Sequence, residues 1–258
     1  MDVFPVVFSD IDGTILDYTT YSYTLSLPAI QKLVGRSIPL ILVSSKTYAE
    51  MLKLNKKLSL TYPFIFENGA GIANPDGSYT IHGKSAMQLA LYKPVIEQVC
   101  GNIQWADKLS LQELSAYTGL STKEVKDMMT RMASVLCIAP GPLDIEKINK
   151  KLAQYGIAIT TGGRFITVID STVSKGNAVQ IIQTMYREKH ATIYSYAIGD
   201  GINDTDMFTA VDEAYFVGRK DLWKTIKKLC PTIHKTKKTG PAGFNEVVDR
   251  IVKNYSLI

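Results

Sequence analysis

Val3–Thr14 reads VFPVVFSDIDGT. Its first six residues are apolar without interruption, which predicts a strand buried on both faces rather than one with a wet side. Strands of that kind sit in parallel sheets flanked by helices, so the chain opens as an α/β protein. The run ends in Ser9-Asp10-Ile11-Asp12-Gly13-Thr14. In an extended chain side chains alternate with period two, which puts Asp10 and Asp12 on the same side. Gly13 then lets the backbone turn away sharply. Ligands of open α/β sheets bind beyond the carboxyl ends of the strands, where this pair falls. Two carboxylates so close repel unless a cation or proton lies between them. The pattern therefore reads as a Mg²⁺ site in which one aspartate is also a nucleophile, or as two solvated loop acids.

Outward from this stretch, apolar β-rich runs alternate with segments of helical period. Helices are expected over 27–35 and 48–58, with buried strands over 39–43 (PLILV) and 63–66 (PFIF). The turn signal NPDGS at 74–78 predicts a hairpin over 71–82. The middle third changes character. A helix over 85–99 and a short one over 109–117 are followed by Ser121 and Glu124, an S-x-x-E capping box opening a helix over 122–133. A strand over 135–139, a helix over 143–155 and two strands around Gly162 and Gly163 complete that third. Strand-helix alternation then resumes, with helices over 177–188, 204–210 and 244–253 and strands over 191–198 and 214–217. The expected architecture is a Rossmann-like parallel-sheet core, residues 1–83 and 169–258, interrupted by an inserted α+β cap over 84–168.

The composition agrees with a globular chain. It has 258 residues, 46% hydrophobic and 21% charged, with a net charge of +5, which excludes collagen-like, coiled-coil and disordered classes. Cys100, Cys137 and Cys230 are odd in number and lack any CxxC spacing, so they read as reduced thiols of a cytoplasmic protein. His82, His190 and His234 are scattered, which argues against a His-built zinc centre. The N-terminus has an acid at position 2 and Pro5 within its apolar run, unlike a signal peptide, and no run spans a bilayer, so no membrane partner is expected. Arg219–Lys238 carries eight basic residues against one acid; a solvated helix face and loop is favoured there over nucleic-acid binding.

A second acidic cluster, Gly199-Asp200-Gly201-Ile202-Asn203-Asp204, follows an apolar strand and precedes a helix. Asp200 again falls at a strand's carboxyl end, and Asn203 and Asp204 can point back from the next turn. A few carboxylates completed by water and phosphate oxygens are what Mg²⁺ prefers.

With D-x-D-G-T at the first strand and G-D-G-x-N-D late in the chain, the sequence resembles the haloacid dehalogenase (HAD) phosphohydrolase superfamily. Ser44, ending PLILV, looks like that superfamily's phosphate-binding Ser/Thr, and Lys175, at a helix start, like its lysine. The resemblance implies that Asp10 attacks phosphorus to give an aspartyl-phosphate and that Asp12 serves as general acid and then base. It also implies that Asp10, Asp200, Asp204 and the Asp12 carbonyl oxygen hold Mg²⁺. Within the branch carrying an α/β cap, five stretches resemble mannosyl-3-phosphoglycerate phosphatases. They are Ser44-Ser45-Lys46-Thr47, Phe66–Gly71 (FENGAG), Thr118–Ser121 (TGLS), Gly162-Gly163-Arg164-Phe165 and Gly240–Phe244 (GPAGF). By that resemblance Ser44, Ser45, Lys46, Asn68, Gly69, Gly162, Gly163 and Arg164 contact a small phosphorylated sugar or glycosyl-glycerate. One stretch departs: where the family places an acidic segment, Arg131–Val135 reads RMASV and keeps only the arginine. Broader sugar phosphatases of Cof or sucrose-phosphatase type, and phosphomannomutase-like transferases, are the rival readings.

Overall fold

A computed structural model describes residues 3–162 and 164–255. Its strands are β1 (Phe4–Ser9), β2 (Leu40–Val43), β3 (Phe64–Phe66), β4 (Gly71–Ala73), β5 (Tyr79–Ile81), β6 (Gln104–Trp105), β7 (Val135–Ile138), β8 (Ile157–Gly162), β9 (Phe165–Asp170), β10 (Ile193–Gly199), β11 (Glu213–Phe216) and β12 (His234–Lys235). Eight form one sheet in the order β12-β11-β10-β1-β2-β3-β4-β5, and β6-β7-β9-β8 form a second. The first sheet is parallel from β12 to β3 and antiparallel through β4 and β5. The second is antiparallel throughout. The protein is thus a Rossmann-like parallel-sheet core with an inserted α+β cap.

The apolar runs behave as strands covered on both sides. Val7, Leu40, Leu42, Phe64 and Phe66 face one core with the helices Leu27–Val34 and Gly240–Asn254. Val6, Phe8, Ile41, Val43 and Ile65 face the other, against the helices Lys175–Arg187 and Trp223–Leu229. The chain leaves β1 toward β2 and β3 on one side and adds β10, β11 and β12 on the other. Strand order therefore reverses at β1, and a crevice opens at the carboxyl ends of β1, β2 and β10.

Several local expectations need correction. The helix expected over 85–99 is two, Ala86–Ala90 and Lys93–Cys100. Pro94 supplies no N–H and its ring would clash with the Ala90 carbonyl, so the chain breaks and restarts with Pro in the first turn. The Ser121–Glu124 capping box forms as expected, but its helix stops at Met128 rather than 133. The Met132 and Ala133 N–H groups are taken by the Glu67 carboxylate instead of by carbonyls one turn back. The closing helix begins at Gly240, four residues early, with Pro241 in its first turn. In the basic segment, Trp223–Leu229 is helical. Lys227 and Lys235 flank the Trp223 ring at 5.7 and 5.3 Å, and Lys227 also donates to the Pro231 and Ile233 carbonyls. Part of that positive charge is thus spent closing the local chain. The three cysteines are free, and burial pushes the Cys137 thiol up to about 12. No helix among the described residues is long and apolar enough to cross a membrane.

The two chain crossings between the sheets are tied together by one ion pair. Lys84 donates to Asp170 through its backbone N–H (3.2 Å) and its ammonium (2.9 Å), and Thr172 donates to the other carboxylate oxygen. Burial alone would raise Asp170, but these donors outweigh it and hold the carboxyl down to about 2. A carboxylate depressed on folding stabilises above its unfolded pKa of about 4, and that contribution disappears as pH falls toward the folded value. Asp170→Asn is therefore expected to cost about 2 kcal/mol at pH 7 and to flatten the parent's loss of stability between about pH 4 and pH 2. Urea midpoints across that range check both.

Candidate active site

The crevice at the strand ends holds a buried charge cluster. Asp10 follows β1 and Asp200 follows β10, while Lys175 opens the helix Lys175–Arg187 with Ser174 as its N-cap. The Lys175 ammonium donates to Asp10 Oδ1 and to Asp204 Oδ1, both at 2.6 Å. Lys175, Asp10 and Asp204 are 3%, 6% and 0% exposed, so none of this charge is shared with bulk water. The other Asp204 oxygen accepts from the Asp200 and Gly201 N–H groups at 3.1 and 3.0 Å. Asp204 thus pins both the lysine and the loop carrying Asp200. Carboxylate oxygens of Asp10, Asp200 and Asp204 all lie within 4.8 Å of one another.

Three carboxylates against one ammonium leave a charge deficit in a low-dielectric place. Burial, then Asp204 and Asp200, raise Asp10 well above the usual carboxylate range against the opposing pull of Lys175. Burial and Asp204 push Asp200 up to about 7. Burial would lower Lys175, but Asp10 and Asp204 outweigh it and hold its ammonium firmly protonated. A donor set of converging carboxylates short of positive charge fits a hard divalent cation such as Mg²⁺.

β1 ends at Ser9, and a turn closed by Gly13 N–H to the Leu16 carbonyl carries Asp12. Asp12 stands near the same cluster, since its charge is among those that raise Asp200. Its carboxylate pairs with Lys46 at 2.9 Å. Burial pulls the Lys46 ammonium down, but Asp12 and Glu50 outweigh it and leave it raised. Asp12 Oδ1 is buried without a hydrogen-bond partner, as are Thr14 Oγ1 and Asn68 Nδ2. Gly13 has φ +79°, and a Cβ there would overlap the Asp200 carboxylate, so the two acidic motifs meet only because this residue is glycine.

The remaining candidates divide. Ser44, Ser45 and Lys46 form the loop between β2 and the helix Tyr48–Lys57, whose N-cap is Thr47. Asn68 stands beside them, its N–H on the Ser44 carbonyl. Gly69, at φ +98°, packs against the Ser174 carbonyl, where any Cβ would collide. In the cap, Gly162 comes within reach of Asn203, since a Cβ there would stand 3.7 Å from Asn203 Nδ2, which brings the β8–β9 turn over the acidic cluster. Gly163 lies outside the described residues. Arg164 is held to the end of helix Leu111–Thr118 by Nη1 on the Tyr117 carbonyl, and the Tyr117 hydroxyl donates back to the Arg164 carbonyl, each at 2.8 Å. Arg131, expected as a remnant of a substrate-contacting segment, instead donates to the Ser45 carbonyl and to Ser134.

Glu67 has no role that the sequence suggested. A carboxylate directly after PFIF with no basic residue nearby is the signal: a fully buried acid needs donors, and they must come from far along the chain.

Residues 7–102 and 104–241 match the haloacid dehalogenase-like hydrolase family. A glucosyl-3-phosphoglycerate/mannosyl-3-phosphoglycerate phosphatase of Methanococcoides burtonii is 29% identical over 271 residues, covering 98% of this chain and 99% of the relative. A protein of the same name from Persephonella marina is 28% identical over 261 residues, covering 96% and 97%. Among solved structures, a Streptococcus mutans protein superposes with a TM-score of 0.70 at 18% identity, covering 98% of this chain and 100% of that one. With both acidic motifs meeting at one crevice and the match running through most of its length, the chain belongs to the haloacid dehalogenase-like hydrolase family.

Proposed function

We propose that this phosphatase is a Mg²⁺-dependent phosphomonoester hydrolase that works through an aspartyl-phosphate on Asp10, with a glycosyl-3-phosphoglycerate as substrate. The observation that carries the chemistry is the buried Asp10–Lys175 contact at 2.6 Å within the carboxylate cluster. Lys175 fixes Asp10 through Oδ1 and leaves Oδ2 to attack phosphorus as the bond to the leaving oxygen breaks. Asp12, held separately by Lys46, gives its proton to that leaving oxygen. It then takes a proton from the water that attacks phosphorus, releasing orthophosphate and restoring the Asp10 carboxylate. Asp10, Asp200, Asp204 and the Asp12 carbonyl oxygen would hold Mg²⁺, which when bound offsets negative charge on the phosphoryl oxygens. The Ser44 hydroxyl, the loop Ser45–Lys46 and Asn68 face the phosphate. Residues 84–168 act as the substrate-selecting cap, with Gly162, Gly163 and Arg164 as its substrate contacts. The three free cysteines suit the cytoplasm.

The full-length relatives named for glycosyl-3-phosphoglycerates support the substrate class. A broader sugar phosphatase is the second reading, favoured by Met132-Ala133-Ser134, a stretch with no charged side chain to offer a sugar acid. Phosphate release from glucosyl- and mannosyl-3-phosphoglycerate beside simple phosphosugars decides between them. We expect kcat/KM to favour the glycosyl-3-phosphoglycerates by at least about tenfold, with activity lost in EDTA and restored by Mg²⁺. Equal turnover of the phosphosugars establishes the second reading. A need for a bisphosphate activator points to phosphotransfer.

A further inference from the structure

We infer that Glu67 and Arg131 are positioning residues that set the phosphate-facing loop Ser44–Lys46 and bind it to the cap. The inference rests on the proposed phosphate role of that loop. Three successive carbonyls of the loop are each held from behind. Ser44 O accepts from Asn68 N–H at 2.9 Å, Ser45 O from Arg131 Nη1 at 3.1 Å, and Lys46 O from Glu67 N–H at 2.9 Å. Carbonyl and N–H of one peptide plane point in opposite directions. Fixing the Ser44 carbonyl therefore aims the Ser45 N–H, which has no acceptor among the described residues, away from Asn68.

The same two residues reach the cap. The Glu67 carboxylate, fully buried, accepts from Met132 N–H (2.8 Å), Ala133 N–H (3.0 Å) and Ser134 Oγ (2.5 Å). Arg131 Nη1 also donates to Ser134 Oγ at 3.0 Å. Glu67 and Asn68 achieve this at φ +47° and +59°, a left-handed backbone that ordinary side chains avoid. Two such residues in a row persist only where their surroundings over-determine them, as the carbonyl and carboxylate bonds do here. Met132, Ala133 and Ser134 are thereby committed to Glu67, which accounts for the missing acidic segment: in this chain that stretch carries an anchor.

The test is orthophosphate binding in the presence of Mg²⁺, by calorimetry, together with steady-state kinetics of full-length variants. Arg131→Met, which frees the Ser45 carbonyl but leaves the Glu67 bonds, is expected to weaken orthophosphate about tenfold and to lower kcat/KM similarly, with Arg131→Lys recovering part of both. Glu67→Gln, which places an amide among donors, is expected to weaken phosphate at least as much. Asp144→Ala, which uncaps the helix Ile145–Leu152, serves as the comparator for stability: it should lower Tm without moving phosphate affinity. Folded Arg131→Met that binds phosphate within about twofold of the parent overturns the inference, whatever Glu67→Gln does. Because orthophosphate binding is read directly, a wrong substrate assignment shows as absent turnover with the binding loss intact.

Discussion

Asp10→Asn is expected to lower phosphate release by about 10⁴-fold or more while raising thermal stability in EDTA. The activity loss follows from removing the attacking oxygen, since the remaining groups position and polarise but form no bond to phosphorus. The stability gain follows from the charge count: three converging carboxylates have one ammonium among them, and burial and the neighbouring acids raise Asp10 well above the usual carboxylate range. An amide of the same shape removes a negative charge yet can still accept from Lys175 through its oxygen. The measurement is paired on one preparation, phosphate release with Mg²⁺ supplied and a thermal scan in EDTA. Full turnover by the variant removes Asp10 as nucleophile. A fall in Tm shows that its charge supports the fold rather than straining it.

Lys175→Met should have the largest effect on folding. The ammonium answers Asp10 and Asp204 at once, and both side chains are cut off from water. Taking one partner from a buried ion cluster costs about 3–5 kcal/mol because the survivors stay buried and unpaired. The loss should be greatest near neutral pH and shrink toward pH 4, where Asp10, raised by burial, takes up its proton and no longer needs the lysine. Activity should vanish with it, since Asp10 loses the contact that fixes its attacking geometry. Urea denaturation at pH 7 and pH 4 gives the comparison. Equal stability of variant and parent at pH 7 would mean that the cluster is neutralised by other means.

Much of the core and of this cluster is legible in the sequence because its signals are local. VFPVVF and PLILV carry no polar alternation, and the alternating assignment of Val6, Val7 and Phe8 to opposite cores is what such runs require. Asp10, Asp200 and Lys175 fall at strand ends and a helix start, positions set by short-range pattern. Ser121 and Glu124 need only three residues to form their box. The failures have a different physics. The Pro94 break is a local clash overlooked within a longer periodic segment. β6, of two residues, is too short for any period. Glu67 reaches partners 65 to 67 residues away, and nothing in FENG states that its carboxylate takes N–H groups beyond a helix of the cap.

The Lys84–Asp170 pair also bears on how such a chain is assembled. The segment between them begins and ends at one spot, with the Lys84 N–H on the Asp170 carboxylate at 3.2 Å. Among the described residues no strand of one sheet pairs with a strand of the other. An excursion whose ends already touch imposes little loop-closure entropy on the rest, however long it grows. The segment is thus inserted at one point of the chain but clamped again where Glu67 and Ser45 meet Arg131–Ser134, so a replacement unit would leave the ladders beneath the catalytic crevice as they are only if it also supplied donors for Glu67.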